Sequence, residues 1–166
     1  MRINMNRKKA LLLSFAFLFL IPYSILSMTK AEAENYYLQI YLLKENEVYW
    51  ETKVNKNDTF YHEYIHSVEL SPVREYYLID EQYSLVAQES WTQSFGAGLP
   101  TEKKRDIEFK DGFMVIRDER PIEYINMQSS HLFPHYLYVG KEQVELSSQN
   151  LSGKPFRIRV LLKQRS

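Results

Sequence analysis

Residues 59–70, "TFYHEYIHSVEL", admit two incompatible interpretations, and each of them predicts a different fold. Residues 62–66 spell H-E-x-x-H, which on a helix places two zinc ligands one turn apart with a glutamate between them to activate water. The same stretch also alternates with a period of two, which predicts a half-buried strand. Its mostly apolar and aromatic set is Phe60, His62, Tyr64, His66, Val68 and Leu70.

Geometry favours the strand. Side chains four residues apart on a helix have Cβ atoms about 5–6 Å apart, whereas on a strand they lie about 13 Å apart at roughly 3.3 Å per residue. A zinc–nitrogen bond is only about 2.0–2.1 Å long, so His62 and His66 on one strand cannot share an ion. Pro72 also follows too soon for a long helix, and Glu69 stands where the elongated zinc motif has glycine.

We therefore expect no metal and no cofactor, and we keep a zinc hydrolase using His62, Glu63 and His66 as the alternative. A second pair of histidines, His131 and His135, has the same spacing around a proline that disfavours a helix. All four histidines could still converge from different strands.

The alternation of apolar and polar side chains with a period of two continues on both sides of this stretch, from residue 36 to residue 162. The segments are rich in Tyr, Val, Ile, Phe and Trp, which suit a pleated surface, and turn residues separate them. Asp111-Gly112 predicts a tight hairpin. The fold expected is all-β, a single antiparallel sandwich or barrel-like domain over residues 34–166. The predicted strands are 36–43, 47–54, 59–70, 73–79, 83–91, 105–109, 112–117, 122–127, 135–139 and 155–162.

The first 33 residues predict a signal peptide. A basic start precedes the apolar run of residues 10–21, and Ala31-Glu32-Ala33 matches a cleavage site. An uncleaved anchor helix is the alternative, because residues 10–26 approach the length of a tilted span. Either way the domain is expected to be exported, secreted or held at the outer face of the cytoplasmic membrane, with membrane contact only through this segment.

Composition excludes several function classes. The chain has no cysteine, which rules out disulfides and thiolate metal sites. Five of the 21 basic residues and one of the 21 acidic residues lie in the first 33 positions, so residues 34–166 carry 16 bases and 20 acids, a net charge of −4. Such a domain has no electrostatic footprint for nucleic acid. We attribute the 13 tyrosines to strand propensity rather than to a carbohydrate-binding platform.

Residues 66–100 carry two blocks that resemble a known family. The first is His66-Ser67-Val68-Glu69 followed by Pro72-Val73 and Glu75, and the second is Trp91 followed by Phe95-Gly-Ala-Gly-Leu-Pro100. They resemble domain-of-unknown-function family 1850, small exported bacterial proteins. The resemblance implies an envelope-side protein, often encoded beside TRAP-type solute transporters that use a TAXI-class binding protein. It implies no catalytic role.

Both blocks supply the candidate binding residues. We expect Glu69 and the Gly96–Gly98 loop to lie on one side of the domain near His66, where a histidine and a carboxylate could bind the amine or hydroxyl of a solute. A buried histidine–carboxylate hydrogen bond with a surface ion pair, and a glycine-rich strand corner, are the structural alternatives. The candidates are His66, Ser67, Glu69, Arg74, Glu75, Phe95, Gly96 and Gly98.

The expected function is a non-catalytic extracytoplasmic binding or accessory protein whose partner is a transporter component or its solute-binding protein. The zinc hydrolase is one alternative. A structural module that offers an edge strand, residues 155–163, to a partner is another.

Overall fold

Eleven antiparallel strands form the domain in the computed structural model, which describes residues 35–94 and 107–163. No helix occurs in these two ranges. The strands are β1 (Asn35–Leu42), β2 (Glu47–Val54), β3 (Thr59–Ile65), β4 (Pro72–Ile79), β5 (Leu85–Thr92), β6 (Ile107–Lys110), β7 (Phe113–Ile122), β8 (Ile125–Met127), β9 (His135–Val139), β10 (Glu142–Glu145) and β11 (Phe156–Lys163).

The strands divide between two sheets that pack as a sandwich. The smaller sheet has the order β2-β1-β11-β8, and the larger has the order β10-β9-β3-β4-β5-β7-β6. The expectation of an all-β antiparallel sandwich is confirmed.

The core lies between the sheets and follows from the alternation. The smaller sheet contributes apolar side chains from β1, β2 and β11, and the larger contributes them from β3, β4, β5 and β9. Two further residues come from the segment between β10 and β11. The buried cluster consists of Leu38, Ile40, Leu42, Val54, Phe60, Tyr77, Ile79, Leu85, Leu137, Leu146, Leu151, Phe156 and Ile158.

The opening stretch is a strand, but a shorter one than predicted. β3 ends at Ile65, and residues 66–71 form a turn into β4. The register of this hairpin pairs Glu63 with Arg74 and Ile65 with Pro72. The chain turns at His66 because the amide of Leu70 donates to the carbonyl of His66, and Leu70 takes a left-handed φ of 50°.

Other boundaries also differ from the prediction. β10 was not predicted, since its short sequence Glu142–Glu145 is polar and mostly exposed. β7 continues to Ile122 instead of ending near residue 117. The Asp111-Gly112 hairpin is confirmed, with φ values of 52° and 79° at its two turn residues.

The predicted edge strand at 155–163 is internal for part of its length. β11 pairs with β1 throughout and with β8 over Phe156–Ile158. The edges of the smaller sheet are β2 and β8, and those of the larger are β10 and β6. A search of residues 35–94 and 107–163 finds no helix with the length and hydropathy needed to cross a bilayer.

Candidate functional site

Polar side chains interrupt the core on the inner face of the larger sheet, and we call this group the inner polar cluster. It consists of His62, Tyr64, Glu75, Tyr77 and His135. The alternation of β3 places His62 and Tyr64 on the same face as the buried Phe60. Strand register then sets His62 opposite Glu75 on β4, and Tyr64 opposite His135 on β9.

Three rings of the cluster contact one another. The His62 and Tyr64 rings stack with centroids 4.9 Å apart. His135 meets the edge of His62 at 5.6 Å and lies 5.4 Å from Tyr64. Two of the four histidines therefore converge across neighbouring strands, whereas His66 and His131 have other partners, the amide of Glu69 and the hydroxyl of Ser152.

The imidazole of His62 is buried without a hydrogen-bond partner. The residue is 3 % exposed, and neither of its ring nitrogens bonds to any described residue; the same holds for Nδ1 of His135. Burial, with a smaller contribution from His135, lowers the pKa of His62 to about 3. Burial also lowers the pKa of His135. Both rings are therefore neutral at pH 7.

Glu75 is held by phenols. The Tyr77 hydroxyl donates to its Oε2 at 2.7 Å. Burial, then the charge and hydrogen bonding of Glu75, raises the pKa of Tyr64 to about 12, and the same causes raise that of Tyr77. Both phenols therefore keep their protons and remain donors to this carboxylate.

An open cleft of about 330 Å³ borders the cluster, and Glu75 belongs to both. The cleft lies between β4, β5 and β7 of the larger sheet and the region of β8 in the smaller one. Its lining mixes carboxylates, one arginine, phenols and a few apolar side chains: Glu75, Tyr76, Tyr77, Ala87, Glu89, Ser90, Asp118, Arg120, Ile122, Tyr124, Ile125 and Asn126.

The H-E-x-x-H letters do not form the helical zinc site. His62 and Glu63 are neighbours on β3, so they face opposite sides of the sheet. On the outer face Glu63 accepts a hydrogen bond from Arg74 Nε at 2.5 Å. Within residues 35–94 and 107–163, no three His, Asp or Glu side chains converge in a group able to hold a metal ion.

The predicted site residues separate into three places. Glu75 lines the cleft, while Arg74 points to the outer face and pairs with Glu63. His66, Ser67 and Glu69 lie in the turn after β3, where the Glu69 amide donates to His66 Nδ1. Glu69 accepts a hydrogen bond from Ser94 Oγ at 2.7 Å. Phe95, Gly96 and Gly98 lie outside the described residues.

The outer face of the larger sheet carries a feature that sequence reasoning missed. Six aromatic side chains from five strands lie in one row, which we call the outer aromatic row, with successive ring centroids 4.5–6.1 Å apart. Several rings stack on their neighbours, so their faces are occupied by one another. The row consists of Tyr136, Tyr138, Tyr61, Tyr76, Trp91 and Phe113.

Together these features define a class: an all-β sandwich domain with a polar cleft on the inner face of its larger sheet. The family model described as Domain of unknown function (DUF1850) matches residues 60–146. The chain belongs to this family. The matched range runs from β3 through β10 and therefore contains every residue of the cleft and of the inner polar cluster. Searches of curated proteins and of solved structures find no match.

Proposed function

We propose that this protein is a non-catalytic, extracytoplasmic binding domain that takes a small polar solute into its cleft as an accessory to solute uptake. The observation that carries the proposal is the open cleft of about 330 Å³, whose wall includes the phenol-held carboxylate of Glu75. A concave pocket with a few convergent polar groups is the usual form of a small-molecule site.

The chemistry of the cluster supports binding over proton-transfer catalysis. A general base works best with a pKa near the operating pH, and burial holds the pKa of His62 at about 3. Tyr64 and Tyr77, with raised pKa values, supply hydrogen bonds rather than exchangeable protons near neutrality. Such groups orient a ligand without reacting with it.

The proposed export and the proposed association with a transporter are supported by the sequence. The first 33 residues have the pattern of a signal peptide or anchor. The resemblance of residues 66–100 implies a neighbourhood of TRAP-type transporters. The proposed partner is accordingly a transporter component or its solute-binding protein.

Solute binding is tested by blocking the cleft. Ser90 lines the cleft and pairs with Glu75, whereas Val86 pairs with Leu78 on the outer face, because an irregularity between Ala87 and Glu89 shifts the alternation of β5. A bound solute at a hundred times its Kd adds about 2.7 kcal/mol to the free energy of unfolding. We expect a thermal-shift panel of small polar solutes to stabilise the wild type and Val86→Trp but not Ser90→Trp. Stabilisation of all three proteins by the same solutes would place binding elsewhere.

Association with a transporter is tested in the cell envelope. We expect a tagged protein to recover a transport protein from solubilised envelopes, and a deletion strain to take up the transported solute more slowly. Recovery of no transport protein together with normal uptake would contradict this part of the proposal.

A further inference from the structure

Glu75 is a carboxylate without a cationic partner among the described residues. It accepts a hydrogen bond from the neutral phenol of Tyr77. None of the ion pairs formed within residues 35–94 and 107–163 involves Glu75. The two imidazoles of the inner polar cluster, those of His62 and His135, are neutral because burial lowers their pKa values.

The other carboxylates that line the cleft differ in this respect. Glu89 accepts hydrogen bonds from Trp91 Nε1 at 2.8 Å and from Arg117 Nε at 3.3 Å. Asp118 lies 3.6 Å from Arg120 Nε. Among the lining carboxylates in residues 35–94 and 107–163, Glu75 is therefore the one without an ion pair, and the arginine of the lining, Arg120, is paired with Asp118.

A partly buried carboxylate with neutral partners lowers its electrostatic energy when a cation approaches. The interaction is stronger than in bulk water because the effective dielectric constant is lower near and within the protein. The two phenols fix the carboxylate in place, so little side-chain entropy remains to be lost on binding. Tyr77 and Tyr124 add aromatic surface to the same lining.

We infer that the solute bound in the cleft carries an alkylammonium group, and that Glu75 binds this group as its counter-ion. This inference rests on the proposed function and names the chemical class of its solute. The hydroxyl of Ser90, also in the lining, can accept a further ammonium hydrogen.

Three probes of equal chain length test the charge of the solute: 1,4-diaminobutane, 1,4-butanediol and succinate, each titrated into the purified protein by calorimetry. We expect the diamine to bind at least about tenfold more tightly than the diol, a difference of about 1.4 kcal/mol, and succinate not to bind. Glu75→Gln is expected to abolish the preference for the diamine. The matched control is Glu63→Gln, on the outer face of the adjacent strand, which should retain it.

The probe titrations test the alkylammonium inference, and the Ser90→Trp comparison tests the proposed function. If the diol or succinate binds as tightly as the diamine, or if no probe binds, the inference is overturned; the proposed function then stands or falls on the Ser90→Trp comparison. An unchanged preference in Glu75→Gln also overturns the inference. Should Glu75→Gln fail to fold by circular dichroism, the ranking of the three probes on the wild type still decides it.

Discussion

At the scale of single residues, the role of His62 depends on the conformation of its backbone. On a helix it would be a zinc ligand, but on β3 it enters the protein interior beside Phe60 and meets His135 from the next strand. Its two ring nitrogens stay without partners in the described part of the chain. A buried polar group without a hydrogen-bond partner costs about 1–3 kcal/mol. The free energy of unfolding should therefore change measurably when His62 is replaced.

The pH dependence of folding should report this imidazole. Its pKa falls from 6.5 in the unfolded chain to about 3 on folding, so the unfolded chain binds more protons between these values. The free energy of unfolding is therefore retained above pH 6.5 and falls toward pH 3, by at most about 1.4 kcal/mol per pH unit from this group. His135 contributes in the same direction.

We expect His62→Leu to reduce the decrease in the free energy of unfolding between pH 6.5 and pH 3. We also expect this variant to be about 1 kcal/mol more stable than the wild type at pH 7, because it removes the unpartnered nitrogens. Urea unfolding at several pH values measures both effects. His131→Leu, at an exposed position, serves as the control and should leave the slope unchanged. A His62→Leu protein with the wild-type slope would contradict this account of the cluster.

Sequence reasoning identified part of the site at this scale. Glu75 was a candidate and lines the cleft. His62 was named only as the metal alternative, and its alternation with Phe60 and Tyr64 was the signal that it faces inward. His135 and Tyr77 could not be assigned to the site, because cross-strand register between β9, β3 and β4 brings them there and no local pattern encodes it.

At the scale of elements, the turn between β3 and β4 is the main departure from the predicted strands. Alternation continues through residues 66–70 in the sequence, yet the chain reverses there. The turn displays Val68 and Leu70 at 78 % and 68 % exposure, and Leu70 has a positive φ. A period-two pattern describes side chains only, so it cannot detect a turn stabilised by backbone hydrogen bonds.

The left-handed conformation of Leu70 predicts a stabilising substitution. A residue with a Cβ atom is disfavoured there by about 1–2 kcal/mol, and the exposed leucine side chain has little packing to lose. We expect Leu70→Gly to raise the free energy of unfolding by about 0.5–1 kcal/mol, after the entropy cost of glycine. Val68→Gly, at a position without positive φ, should lower it. Equal effects of the two substitutions in urea titrations would argue against the turn.

The outer aromatic row also belongs to this scale. The residues of this row come from five separate strands. The strand order β9-β3-β4-β5-β7 brings them side by side. Most of the tyrosines in residues 35–94 and 107–163 lie in strands, but the alignment of aromatic side chains on one face was not foreseen. Because the stacked rings cover one another's faces, the row contributes to the stability of the sheet through cross-strand pairs.

At the scale of the whole molecule, the sandwich depends on apolar side chains from both sheets. The all-β class follows directly from the period-two pattern and the turn residues. The division into sheets of four and seven strands does not, since it depends on pairings such as β1 with β11 across most of the chain. The strand residues of the core are nevertheless those that alternate inward.

A matched pair on β11 tests this core. Ile158 is fully buried, whereas Leu162 on the same strand is 41 % exposed. We expect Ile158→Ala to lower the free energy of unfolding by about 2–5 kcal/mol because it leaves a cavity between the sheets, and Leu162→Ala to lower it by less than about 1 kcal/mol. Denaturant titrations of both variants provide the measurement. Similar losses for the two would mean that β11 does not face the core as described.

We propose that this protein binds its solute in the cleft beside Glu75. Titration of the isotope-labelled protein with 1,4-diaminobutane, followed by amide chemical shifts in NMR spectra, tests this proposal. We predict saturable shifts concentrated at the cleft, around Glu75, Ser90 and Asn126. Saturable shifts centred on the outer aromatic row, around Tyr61 and Tyr138, with none at the cleft, would contradict the claim.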